Sequence, residues 1–190
     1  TVWAQGERGD SGSVNIEVTV LQGKIAYAYP YHTSTCSVTF SPGSRVAQGG
    51  IYIMDDDGSD ITQLTINENC DAFPEWSPDR SKIAFSRRGA DTGVIGAPII
   101  SDIWVMNADG SGQTQLTNTK SHLTRLPDYN PSWSPDASKI VYHKVMAGNK
   151  TYVYVINVDG SNRKQIAQGS NPSWSPDGSK IVFSSYERFI

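Results

Sequence analysis

Two cysteines, three histidines and a formal charge of only −3 leave this sequence without the usual marks of a metal, redox or nucleic-acid protein. Cys36 and Cys70 stand too far apart for a redox CxxC pair, and they lack the companions that a zinc site requires. Lys and Arg are scattered singly, so no basic groove tracks a phosphate backbone and no nucleic-acid partner is expected. No apolar run approaches the roughly 20 residues that span a bilayer, so no membrane span is expected. The GxSxG elbow, the HExxH helix, the phosphate loop and the CxxCH haem attachment are all missing. No cofactor and no catalytic residue are therefore assigned. Sustained 3.6-residue periodicity is missing as well, which excludes a helical fold.

What the sequence does have is turn formers and aromatics. Seventeen Gly, ten Pro and an aromatic share of 10% point to many short strands joined by tight turns. With 37% hydrophobic and 18% charged residues over 190 positions, the chain can bury one sizeable core.

Two motifs recur. WSPDRSKIAF at 76–85 returns as WSPDASKIVY at 133–142 and WSPDGSKIVF at 174–183. Between these copies fall IYIMDDDGSDITQLT at 51–65, IWVMNADGSGQTQLT at 103–117 and VYVINVDGSNRKQIA at 153–167. In Ser-Pro-Asp-x-Ser, proline presets φ while the Ser and Asp side chains bond nearby amides. Its fourth position is Arg80, Ala137 or Gly178, so glycine is not demanded there. The Asp-Gly-Ser turns keep glycine in every copy (Gly58, Gly110, Gly160), which predicts positive φ. The runs between turns are too short for helices and rich in β-branched and aromatic residues. A period of roughly 40 to 57 residues with two turns suits a propeller blade of four antiparallel strands, a to d.

On this reading the fold is an all-β propeller of about three and a half blades. Residues 1–13 form an N-terminal extension, 14–65 the first blade, 72–117 the second and 131–167 the third. Residues 171–190 supply half a blade, strands a and b. Strands are expected at 14–20, 24–29, 51–55 and 61–65 in the first blade. The second has strand a ending at Trp76, then 82–87, 102–107 and 113–117. The third has 131–134, 139–146, 151–157 and 163–167, and the half blade 171–174 and 180–185. One Trp per blade at the same place (Trp76, Trp133, Trp174) is expected to pack between blades rather than hold a ligand.

The xPxWSPDGSKIxF and IYVMNxDGSxxxQLT patterns resemble the propeller repeat of TolB and related bacterial extracytoplasmic proteins, over residues 24 to 185. The resemblance implies a WD-like propeller, six-bladed in TolB itself. Three and a half blades leave open sheet faces. Either more chain follows residue 190 or copies self-associate to complete the ring.

Function is expected on one rim. The a–b and c–d turns are short and nearly invariant, whereas the b–c and d–a connections differ widely: 30–50, 88–101, 147–150 and 118–130. Binding sites collect on loops that are free to differ over a rigid scaffold. Candidate contacts to a protein or glycan partner there are Tyr29, Tyr31, His32, Arg87, Arg88, His122, Arg125, Tyr129 and His143, with Tyr and Arg as typical anchors. Cys36, in the first b–c loop, and Cys70, in the first d–a loop, fall on this rim. A disulfide between them would pin a long loop and imply a periplasmic or extracellular location; two free thiols are the alternative.

Other motifs carry less. Asp55, Asp57 and Asp60 suggest a weak cation site, but the twelfth-position Glu of a calcium loop is absent and turn chemistry accounts for them. Gly9-Asp10-Ser11-Gly12 matches a protease nucleophile segment without its upstream partners. Arg8-Gly9-Asp10 is a common tripeptide, and Asn149-Lys150-Thr151 is a glycosylation sequon. A non-catalytic binding scaffold is the leading reading. The alternatives are a propeller domain of a larger enzyme, a prolyl-oligopeptidase-like peptidase or a polysaccharide lyase (which would need His122 and Arg125), and a structural subunit of a surface layer or filament.

Overall fold

The computed structural model describes residues 18–21, 23–29, 50–66, 70–89, 100–118 and 127–185. Three antiparallel four-stranded sheets follow one another along the chain. The first joins β1 (Val18–Leu21), β2 (Lys24–Tyr29), β3 (Gly50–Asp55) and β4 (Thr62–Gln63) in that order. The second joins β5 (Cys70–Trp76), β6 (Lys82–Arg88), β7 (Ser101–Asn107) and β8 (Thr114–Gln115). The third joins β9 (Asp128–Trp133), β10 (Lys139–Met146), β11 (Lys150–Asn157) and β12 (Lys164–Gln168). A hairpin of β13 (Ser170–Trp174) and β14 (Ile181–Ser184) ends the described chain. This meander, repeated sheet by sheet, is the blade arrangement of a propeller.

Strand alternation sends successive side chains to opposite faces, and the second sheet buries both, one against the first sheet and one against the third. Ile83, Phe85 and Met106 join Trp76 on the face toward the first sheet, where Ala26, Ala28 and Ile51 receive them. Ala84, Ile103 and Val105 on the opposite face meet Trp133, Ile140, Tyr142 and Ile156 of the third. Small residues on one sheet thus accept large ones from the next. Trp76 and Trp133 are buried at 6% and 4% exposure, as core packing requires. Trp174 is only half-buried, and Val182 beside it is 68% exposed, because no third strand pairs with β13 and β14 among the described residues.

The turns explain the repeat. Ser77 Oγ donates to Asp79 Oδ1 (2.6 Å), the Ser81 amide donates to the same oxygen (3.1 Å), and the Lys82 amide donates back to Ser77 Oγ (2.9 Å). Ser134, Asp136, Ser138 and Lys139 repeat this web, as do Ser175, Asp177, Ser179 and Lys180. Those amide and hydroxyl donors hold the carboxyls of Asp136 and Asp177 down to about 2. The fourth position is left-handed in every copy, with φ of 61° at Arg80, 57° at Ala137 and 70° at Gly178. Glycine is therefore favoured there even though two copies omit it. Arg80→Gly is expected to raise stability by roughly 0.5–1 kcal/mol, relief of left-handed strain exceeding the entropy cost of glycine. A chemical-denaturation midpoint that does not rise would contradict this. The Asp-Gly-Ser turns meet their expectation, with φ of 86°, 85° and 83° at Gly58, Gly110 and Gly160.

Strands β4 and β8 are two residues long where 61–65 and 113–117 were expected. Thr65 and Thr117 account for the difference. Their hydroxyls accept the Ile51 and Ile103 amides (2.9 Å each), taking the place of a backbone partner and ending the ladder. The third copy has Ala167 at this position and no hydroxyl, and β12 continues to Gln168.

Candidate functional site

The first strands of successive blades, β5, β9 and β13, lie side by side. Each carries an x-Pro step before its Trp: Phe73-Pro74, Asn130-Pro131 and Asn171-Pro172. Proline removes an amide from the ladder, and register shifts interrupt the pairing of all three strands with their neighbours. The residue before each proline is left-handed, with φ of 54°, 51° and 50°. Asn tolerates this conformation; Phe73 is a bulky residue in it.

These steps frame a cleft of about 180 Å³, lined by Phe73, Pro74, Glu75 and the matching Asn-Pro-Ser triplets at 130–132 and 171–173. Its walls are tied across blades. Glu75 Oε1 accepts from Ser132 Oγ and from the Trp133 amide (3.2 Å each), while Trp133 Nε1 donates to the Glu75 carbonyl (3.1 Å). Asn130 Nδ2 donates to Asn171 Oδ1 (2.7 Å). Phe73 meets the ring of Tyr129 edge-on at 6.1 Å. Sequence reading left out Phe73, Glu75, Asn130 and Asn171. The signal was the x-Pro step ahead of each repeated Trp.

Two residues before the first two of these x-Pro steps stand buried acids, Asp71 and Asp128, each held in an ion pair. Arg87 grips Asp71 through Nε and Nη2 (2.7 and 2.8 Å) and stacks over Phe85 and Trp104. One blade on, Lys144 bonds Asp128 (3.0 Å), with Arg163 3.9 Å away. Burial still raises the Asp128 carboxyl above its ordinary range, outweighing both cations. Burial also drives the Tyr142 hydroxyl up. At the equivalent place in the last hairpin stands Gly169, where a Cβ would lie 2.5 Å from the Phe183 ring.

Several sequence candidates therefore move. Arg87 was expected on the loop rim; its side chain is 10% exposed and ion-paired within the blade. His143 was also expected there, but it lies within β10 at 8% exposure, and its Nδ1 accepts the Asn171 amide (3.3 Å). Its ring faces Tyr129, and burial lowers its pKa to about 4. Tyr129 is a β9 residue packed between Phe73 and His143, not a loop residue. Tyr29 and Arg88 end β2 and β6. Tyr31, His32, His122, Arg125 and Cys36 lie outside the described residues. Cys70 opens strand β5 rather than sitting in a d–a loop.

The acidic turn does not gather as a cation cage. Asp55 pairs with Lys24, and Asp57 Oδ1 accepts the Ser59 amide (2.9 Å). Among the described residues no group of three His, Cys, Asp or Glu side chains is placed to hold a metal. No described helix is long and apolar enough to cross a membrane.

Repeated four-stranded blades, Trp-packed interfaces and first strands side by side at a shared cleft define the class: the chain is a β-propeller. No family model matches the sequence, and no curated protein is similar to it. Among solved structures it resembles a putative TolB from Agrobacterium tumefaciens, at 25% identity and a TM-score of 0.63, over 87% of this chain and 55% of that one. TolB from Acinetobacter baumannii matches at 20% identity and a TM-score of 0.61, over 86% of this chain and 36% of that one. An oligogalacturonate lyase solved with manganese matches at 17% identity and a TM-score of 0.56, over 87% and 44%. The particular propeller is thus TolB-like in fold, and the chain spans about half the length of the first of these proteins and about a third of the second.

Proposed function

We propose that this chain is a binding scaffold that recognises a protein or glycan partner outside the cytoplasm, through the b–c and d–a connections on one rim. The observation that carries the reading is the finished state of the opposite rim. There the Ser and Asp side chains of the repeated Ser-Pro-Asp-x-Ser and Asp-Gly-Ser turns are engaged with their own turns, in near-identical copies. The connections on the proposed rim differ: the b–c link joins Met146 to Lys150 by a single 3-10 turn, but runs far longer between Tyr29 and Gly50 and between Arg88 and Ser101. Unequal loops on an equal scaffold supply specificity. Tyr31, His32, Arg88, His122 and Arg125 belong to these connections or their ends. A Cys36–Cys70 disulfide would tie the longest of them to β5, adding about 2–4 kcal/mol, and would place the protein in an oxidising compartment. Two titratable thiols in the denatured chain would remove it.

The test is a loop graft. Residues 89–100 are replaced by the Ala147–Asn149 turn, and capture from a periplasmic extract and on an array of oligosaccharides is compared with the parent. Ligands retained by the parent and by a Ser111→Ala turn variant, but lost on the graft, support the reading. Retention by the graft sinks it. The lyase alternative is read in the same preparation: elimination of oligogalacturonate with manganese present, abolished by His122→Ala or Arg125→Ala, would replace the scaffold reading.

A further inference from the structure

The cleft between the first strands is chemically lopsided. Pro74, Pro131 and Pro172 bring no backbone amide, so three donors are missing from its wall. One of its nine lining residues carries charge, and that residue is the acid Glu75. Asn130 Oδ1 is buried without a hydrogen-bond partner, while Nδ2 of the same amide is held by Asn171. Phe73 adds an aromatic ring to this wall. It sits left-handed directly before a proline, where the two matching positions carry Asn, which accepts that conformation at lower cost. Backbone strain kept at one of three equivalent positions points to use of the side chain placed there.

From this juxtaposition we propose that the cleft binds a cationic, donor-rich head group, a primary ammonium or guanidinium. The cation lies against the Phe73 ring with Glu75 balancing its charge. Aromatic faces attract such cations through their quadrupole, and a nearby carboxylate strengthens the attraction in a partly desolvated site. The inference does not rest on the loop-rim reading, because none of the nine lining residues belongs to those loops.

Calorimetric titration of the full chain tests it with N-acetyl-lysine amide and N-acetyl-arginine amide as peptide-like sources, spermidine as a free polyamine, and glucose and acetate as neutral and anionic controls. Binding of the cations and neither control is expected. A stronger response to the amino-acid amides than to spermidine identifies a peptide side chain as the source, and the reverse order a free polyamine. Phe73→Asn, which installs the residue of the neighbouring blades, is expected to keep the parent melting temperature or better and to weaken cation binding about tenfold. Glu75→Gln keeps an acceptor for Ser132 and the Trp133 amide, and is expected to weaken binding similarly and flatten its salt dependence. Tighter binding of glucose or acetate than of any cation would overturn the proposal. So would full cation affinity in a folded Phe73→Asn protein, or no cation binding by the parent at millimolar concentration.

Discussion

Trp133→Ala is expected to lose about 3–5 kcal/mol of stability, a fall in melting temperature on the order of 10 °C for a chain of this size. The indole is 4% exposed, wedged against Ala84, Ile103 and Val105 of the preceding blade, so its removal leaves a cavity that two rigid sheets close only in part. Its Nε1 also donates to the Glu75 carbonyl, and that acceptor would be left without its indole partner. Trp174→Ala is the internal control. It is the same residue in the same turn motif, but half-buried, and its Nε1 has no hydrogen-bond partner. Its loss is expected to cost roughly 1–2 kcal/mol, the transfer term without the cavity. Thermal or urea unfolding of the two variants side by side decides the point. Equal losses would mean that the blades do not stack through these indoles in the way the Trp133 packing implies.

The contrast between the two tryptophans also shows what was legible in the sequence. Trp76, Trp133 and Trp174 are identical at the level of motif, and their role in blade packing follows from periodicity alone. Their burial does not, because it is set by how many strands stand behind each one. The same separation runs through the candidate site. Positive φ at Gly58, Gly110 and Gly160 was readable, since a repeated glycine in a turn has one common physical reason. Positive φ at Phe73, Asn130 and Asn171 was not, because an extended x-Pro step gives no local hint that three of them will converge on one cleft. Arg87 and His143 were placed among the contacts of the variable rim, as Tyr and Arg are typical anchors of binding surfaces and charged and titratable residues are usually solvated. Each is held inside by a partner distant in sequence: Asp71 for Arg87, and the Asn171 amide for His143. Pairing across a sheet or between blades is a tertiary fact, invisible to spacing within one strand. Thr65 and Thr117 belong to the same class, since the QLT motif was visible but its hydroxyl's bond to a strand c amide was not.

Acidification should separate the third blade from the last hairpin before it disturbs the rest. Burial favours the neutral form of His143, whose Nδ1 accepts the Asn171 amide from β13, and a protonated ring would turn a donor toward that donor. Burial lowers its pKa from 6.5 to about 4, so the unfolded chain binds this proton more readily than the folded one. The contribution is therefore fully present above pH 6.5 and is lost as pH falls toward 4, amounting to about 3 kcal/mol across that window. Asp128, near His143 on the paired strand β9, acts in the opposite sense: its carboxyl is raised, so protonating it favours the fold and offsets part of the loss. The turn carboxylates Asp136 and Asp177, held near 2, lose their contribution only below about pH 4, outside the window. His143→Ser, the residue that Ser86 supplies at the matching place in the second blade, removes the titrating group while keeping a small polar side chain. Stability measured by urea unfolding at pH 7 and pH 4.5 should fall steeply for the parent and much less for this variant. Parallel pH profiles for the two proteins would show that His143 is not the group that senses acid.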